Sequence, residues 1–165
     1  MDILKKLNKY LKSNLETPRR SKALYREAFM DYECAYAGSS IGNSNIDNYI
    51  EENKNDDKFQ KLLFSYIDSK SLKDSDVYNK VDIDRRLFSK IRNDNYHPSK
   101  NTIILLGLSL ELKEEEIEKL LESASYSLPK NNTRDLILRF CFIEKIYDYI
   151  KVNELLDNYN EELLN

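Results

Sequence analysis

The stretch "VDIDRRLFSKIRNDNYHPSK", residues 81–100, puts five basic residues into twenty positions of a 165-residue chain whose formal net charge is −3. Asp84 stands where a helix N-cap belongs, so the residues from Arg85 onward read as a short helix. On a wheel advancing about 100° per residue from Arg85, Leu87, Phe88 and Ile91 fall between about 200° and 300° and point inward. On the same wheel Arg85, Ser89, Asn93, Arg86 and Lys90 span about 0° to 140°, with Arg92 on the rim at about 340°. One side is apolar and the other is rich in donors.

Working outward, "SDVYNKVDI" precedes this helix with Ser75 as its expected N-cap. Before that, Phe59, Leu62, Leu63, Tyr66 and Ile67 form one face of a helix that ends near Ser69. On the other side Ser99, directly after Pro98, opens "SKNTIILLGLSLEL", and "KEEEIEKLLESAS" follows. The spacing therefore predicts five helices between Phe59 and Ser123. The second and third are short and joined by a tight turn, which is the plan of a helix-turn-helix domain. Phe64, Val77, Phe88, Ile91, Ile104, Leu105, Leu108, Leu120 and Leu121 are its expected core. Gly107 is a costly residue inside a helix and is expected where a neighbouring helix packs closely.

Outside this segment, Ile3, Leu4, Leu7, Leu11 and Leu15 recur at helical spacing, and Pro18 ends that helix. A second helix is expected from Ser21, as N-cap, to near Gly38. "GSSIGNSN" lacks the GK[ST] ending of a phosphate loop and reads as a connection. The polar, acidic run after Ile46 marks a boundary at residues 51–58. After Pro129, Thr133 is expected to cap one long helix through "RDLILRFCFIEKIYDYI", and "VNELLDNYNEELL" makes a final short one. The expected parts are 1–55, a helical segment for interaction or dimerisation, then 59–123, then C-terminal helices 130–165 packed on it.

Composition narrows the possibilities. Few glycines and prolines and 41% hydrophobic residues favour an all-α chain. No run approaches the roughly 18 apolar residues of a membrane span, and the first residues lack a signal-peptide core, so a cytoplasmic location is expected. Cys34 and Cys141 form no CxxC pair, and His97 stands alone, so neither a zinc finger nor a disulfide framework is suggested. No paired carboxylates or nucleophile–base set stands out, and neither catalysis, a metal nor a cofactor is expected. Charge is segregated: Lys80 to Lys100 holds six basic residues against three acidic, while Glu111 to Glu122 holds six glutamates against two lysines.

The run "SDVYNKVDIDRRLFSKIRNDNYHPSKNTIILLGLSLELKEEEIEKLL" resembles the Cro/repressor (XRE-type) helix-turn-helix family. It keeps that family's order of scanning helix, Ile-containing turn, recognition helix with the cadence "LFSKIRND", then Pro-Ser and a Leu-rich helix. The resemblance covers roughly residues 59–123. It is closest to the "DRRLFSKIR…YHPSK" variant found as a C-terminal module in some bacterial macro-domain proteins, although no macro domain is recognisable in this chain. Ser75 and Asp76 stand where the family often has a phosphate-bracing glutamine, and Asn93-Asp94-Asn95 replaces its usual glycine.

The resemblance implies a transcription regulator that binds double-stranded DNA as a homodimer. The expected DNA-binding residues are Lys80, Arg85, Arg86, Ser89, Lys90, Arg92, Asn93, Tyr96 and Lys100. Arg86 and Ser89 would read bases, while Lys80, Arg92 and Lys100 would hold phosphates. The alternative is a non-enzymatic adaptor that presents Arg85, Arg86 and Lys90 to an acidic protein surface, in a stress or phage-defence setting.

Overall fold

The computed structural model describes residues 2–15 and 58–164, together with Ile46 and Asn48. The helix expected at 21–37, the "GSSIGNSN" connection, Cys34 and the boundary at 51–57 lie outside the described residues. Residues 1–15 and 57–165 form one compact unit, and 16–56 group as a second. The segment grouped above as 1–55 is therefore divided, because its first helix buries Leu7 and Leu11 in the core shared with the C-terminal helices.

The described residues form eight helices and no strand, so the protein is all-α there. They are α1 (Ile3–Leu15), α2 (Phe59–Ser69), α3 (Asp74–Lys80), α4 (Arg85–Ile91), α5 (Lys100–Ser109), α6 (Glu114–Ser123), α7 (Thr133–Ile143) and α8 (Tyr149–Asp157). No described helix is long and apolar enough to cross a membrane.

Helix α5 is the hub. Ile103 to Ser109 are all buried, so this helix has no solvent face; α3 and α6 pack against it. The buried Ser109 hydroxyl donates to the Val77 carbonyl at 2.6 Å, tying α5 to α3 through a satisfied polar group. Gly107 is explained by proximity: a Cβ there would run into Ile117 Cδ1 of α6 and lie 3.4 Å from Phe142 of α7. A side chain at 107 would require the end of the Ile117 side chain to move aside. Helix α7 packs in turn on α1, α6 and α8, and the Tyr10 ring packs tilted against Phe140 at 5.5 Å between ring centres.

The caps explain where helices start. Asp84 accepts from Arg86 N–H at 2.6 Å and Leu87 N–H at 3.3 Å, and Ser99 accepts from Thr102 N–H at 3.2 Å, both as the sequence predicts. Two other caps differ. Helix α3 starts at Asp74 rather than after Ser75, because the Asp76 carboxylate reaches back to Lys73 N–H at 3.3 Å. Helix α7 is capped by Asn132 rather than Thr133, its side-chain oxygen accepting from Arg134 N–H at 2.9 Å.

The ends follow one rule. Ser71, Asp82, Glu111, Ser125, Lys145 and Asn160 take φ between 50° and 60°, each just past a helix. After each, the next N–H returns to a carbonyl one turn back; Leu72 bonds Ile67 and Ile146 bonds Cys141, for example. With only three glycines in the chain, polar residues fill these left-handed positions. That device divides the long helix expected through Ile150. Lys145 at φ 58 ends α7, and Asp148 caps α8 by accepting from Ile150 N–H at 3.0 Å.

Of the expected core, Val77, Phe88, Ile91, Ile104, Leu105, Leu108, Leu120 and Leu121 are buried. Phe64 is only partly buried; its ring packs edge-on against Phe88 at the margin, 6.3 Å between centres.

Candidate nucleic-acid interface

The basic helix α4 is set by what holds its other face. Val81 and Ile83 are buried on either side of Asp82, whose left-handed backbone turns the chain from α3 into α4. Phe88 and Ile91 then anchor the helix, Phe88 packing on Phe64 and on Tyr78 at 5.5 Å. Burying side chains of this size contributes about 1.5–3 kcal/mol each. A seven-residue helix is too short to be stable alone, so these anchors fix its orientation.

On the opposite face Arg85, Arg86, Ser89 and Lys90 are exposed. Arg85, Arg86 and Lys90 form no ion pair with any described residue. Ser89 donates its hydroxyl to Arg85 O at 3.0 Å and keeps acceptor capacity outward. Asn93 is exposed just beyond the helix, and its side-chain oxygen accepts from Asn95 N–H at 3.0 Å.

The loop after α4 is held by a residue that the sequence reading passed over. Gln60 of α2 is 7% exposed, and its Nε2 donates to the carbonyls of Asn93, at 3.2 Å, and Tyr96, at 2.9 Å. The signal was available: Gln60 is a polar residue at the helical spacing of Leu63 and Ile67 on the buried face. Tyr96 is half-buried and packs on the core. His97 bonds Ala124 O through Nε2 at 2.9 Å and packs its ring tilted against Tyr126.

Three of the expected phosphate contacts are engaged elsewhere. Lys100 bonds the buried carboxylate of Asp135 at 2.6 Å, and its side chain is 24% exposed. Lys80 pairs with Glu111 at 2.5 Å, and that hydrogen bond, with the lysine charge, holds the Glu111 carboxyl below its usual range. Arg92 donates through Nε and Nη2 to Asp74, and its guanidinium lies 4.6 Å from the Phe64 ring centre. Thus the expected cations separate into an unpaired set on α4 and a paired set around it, in which Lys80 and Arg92 are exposed as well. Between α2, α3 and α4 runs an open groove of 630 Å³, lined on the α4 side by Arg85, Ser89 and Arg92.

Elsewhere, Cys141 is buried, and burial pushes its thiol up to about 12, so it stays protonated and acts as a small core group. Among the described residues no cluster of three or more His, Cys, Asp or Glu could hold a metal ion. No family model, curated protein or solved structure matches the chain.

Proposed function

We propose that residues 59–123 are a helix-turn-helix module of Cro/repressor type that binds double-stranded DNA, and that the protein is a transcription regulator. The observation that carries this reading is the outer face of α4: three cations with no carboxylate partner among the described residues, on a helix whose inner face is anchored. An α-helix fits the major groove of B-DNA, and its Arg and Lys side chains meet guanine acceptors there. Arg86, Lys90 and Asn93 form the outward stripe and carry base contacts. Arg85 and Ser89 lie beside them towards the groove and reach the backbone or a base edge.

The internal pairing of Lys80, Arg92 and Lys100 revises their part. Lys100 is held by the buried Asp135 carboxylate, and this reading assigns it to the fold rather than to the phosphate contacts. Paired half-sites one helical turn apart would need a two-fold dimer in the cytoplasm. Because Leu7 and Leu11 are already buried in the core, only the exposed Ile3, Leu4 and Leu15 of α1 remain for such a contact.

Titration of a fluorescent mixed-sequence duplex at about 50 mM and about 200 mM salt tests the reading, since phosphate contacts release counterions and weaken steeply with salt. Affinity that falls with salt supports it. No affinity at either salt, together with loss of a captured protein partner in Arg85→Glu/Arg86→Glu, would replace it with the adaptor.

A further inference from the structure

Arg92 caps the C-terminal end of α4, and Asp74 is the first residue of α3. The Arg92 Nε donates to Asp74 Oδ2 at 3.2 Å and Nη2 donates to the same oxygen, while the guanidinium rests over the Phe64 ring. Two donors on one oxygen and an aromatic surface beneath give this side chain a set direction.

That direction is into the groove. On the α4 wheel Arg92, Arg85 and Ser89 make one stripe, and all three line the groove with Lys73, Asp74 and Ser75 from the start of α3. The outward stripe is Arg86, Lys90 and Asn93. A DNA strand bordering α4 would run its phosphates along the groove's rim, where the Asp74 carboxylate is a like charge and keeps the nearest guanidinium occupied.

Resting on the DNA-binding reading above, we propose that Asp74 is a positioning residue that withholds Arg92 from the DNA backbone, leaving contact with the DNA to the unpaired cations of α4. An Arg fork suits phosphate as well as carboxylate, so Arg92 would add a contact if Asp74 released it. A phosphate contact strengthens binding to every sequence alike. Withholding one therefore raises the weight of the base contacts of Arg86 and Asn93, and Asp74 sets specificity without touching a base.

The test compares Asp74→Asn, Arg92→Ala and the double variant with wild type, titrating one mixed-sequence duplex across a salt series. Asp74→Asn is expected to bind about three- to tenfold tighter at low salt, with a salt slope steeper by about 0.9, the value of one added phosphate contact. Arg92→Ala gains neither affinity nor slope over wild type, and the double variant loses the gain of Asp74→Asn. A slope unchanged in Asp74→Asn, or a gain that persists in full without Arg92, overturns the proposal. The pair is exposed, with side chains 55% and 35% accessible, so the variants should fold; Asp74→Ser is a second route to the same release. If wild type binds and Asp74→Asn matches it, this inference alone fails. If neither binds any duplex, the DNA reading fails with it.

Discussion

Helices α4 and α7 carry basic side chains in opposite settings. In α7, Arg139 is 8% exposed and sits between Glu114, at 2.6 Å, and Glu118 of α6, while its Nη2 donates to Leu128 O at 2.9 Å. Burial disfavours its charge, but hydrogen bonds and attraction from both glutamates outweigh that and hold its pKa above the ordinary arginine value. One donor, Nε, is buried without a partner. Arg134, on the same helix, is tied to Glu162 O and Asn101, which pins the C-terminal tail. In α4, by contrast, Arg85, Arg86 and Lys90 project into water with no such neighbours. A buried cation must be compensated within the fold, whereas a hydrated one stays available to a partner. Sorting the cations in this way separates structural charge from interface charge more sharply than the net charge of the segment does.

The largest expected effect is on the structural side. Arg139→Ala should cost about 2–4 kcal/mol in urea unfolding, below the range for fully buried pairs because Glu114 and Glu118 are partly exposed. Arg139→Met, which keeps the packing of the stem and removes the orphaned Nε, should lose clearly less. Equal losses in the two variants would mean that the charge, and not the packing, holds α6 on α7.

Lys100 sharpens the same contrast, because it lies in the basic stretch yet belongs to the structural group. Lys100→Ala strands the buried Asp135 carboxylate and should lower stability by about 1–3 kcal/mol. The salt slope of duplex binding should not move. A slope reduced by about one would return Lys100 to the interface.

For the interface group, Arg86→Ala should weaken binding to a preferred duplex by about 1–3 kcal/mol and flatten the preference among sequences. The urea midpoint should stay that of wild type, since the side chain is exposed and makes no ion pair among the described residues. A shifted midpoint would place Arg86 with Arg139.

Much of the fold could be read from local pattern. Asp84 and Ser99 announce their helices because a cap acts over two or three residues, and Phe88 and Ile91 show their burial through helical spacing. The α7–α8 break was missed because apolar periodicity continues through "FIEKIYDYI", while the stop rests on a left-handed Lys145 and the start on Asp148. In the site, the exposed face of α4 was legible from its wheel. The pairing of Lys100 with Asp135 was not, since 35 residues separate them and nothing local marks the lysine as engaged. Arg139 and Gln60 did leave a trace, as polar residues on otherwise apolar faces. Their partners, again, come from other helices.

The most direct test is the salt dependence of duplex binding in wild type and in the Arg85→Ala/Arg86→Ala/Lys90→Ala variant. Three cations brought against the polyanion, whether they meet a base edge or a phosphate, predict a logarithmic slope approaching about −3 per chain for wild type. The variant should approach zero slope while unfolding at the wild-type urea midpoint. Duplex binding by the variant with undiminished slope, or no salt-dependent binding by wild type, would contradict the assignment of α4 as the DNA-binding surface.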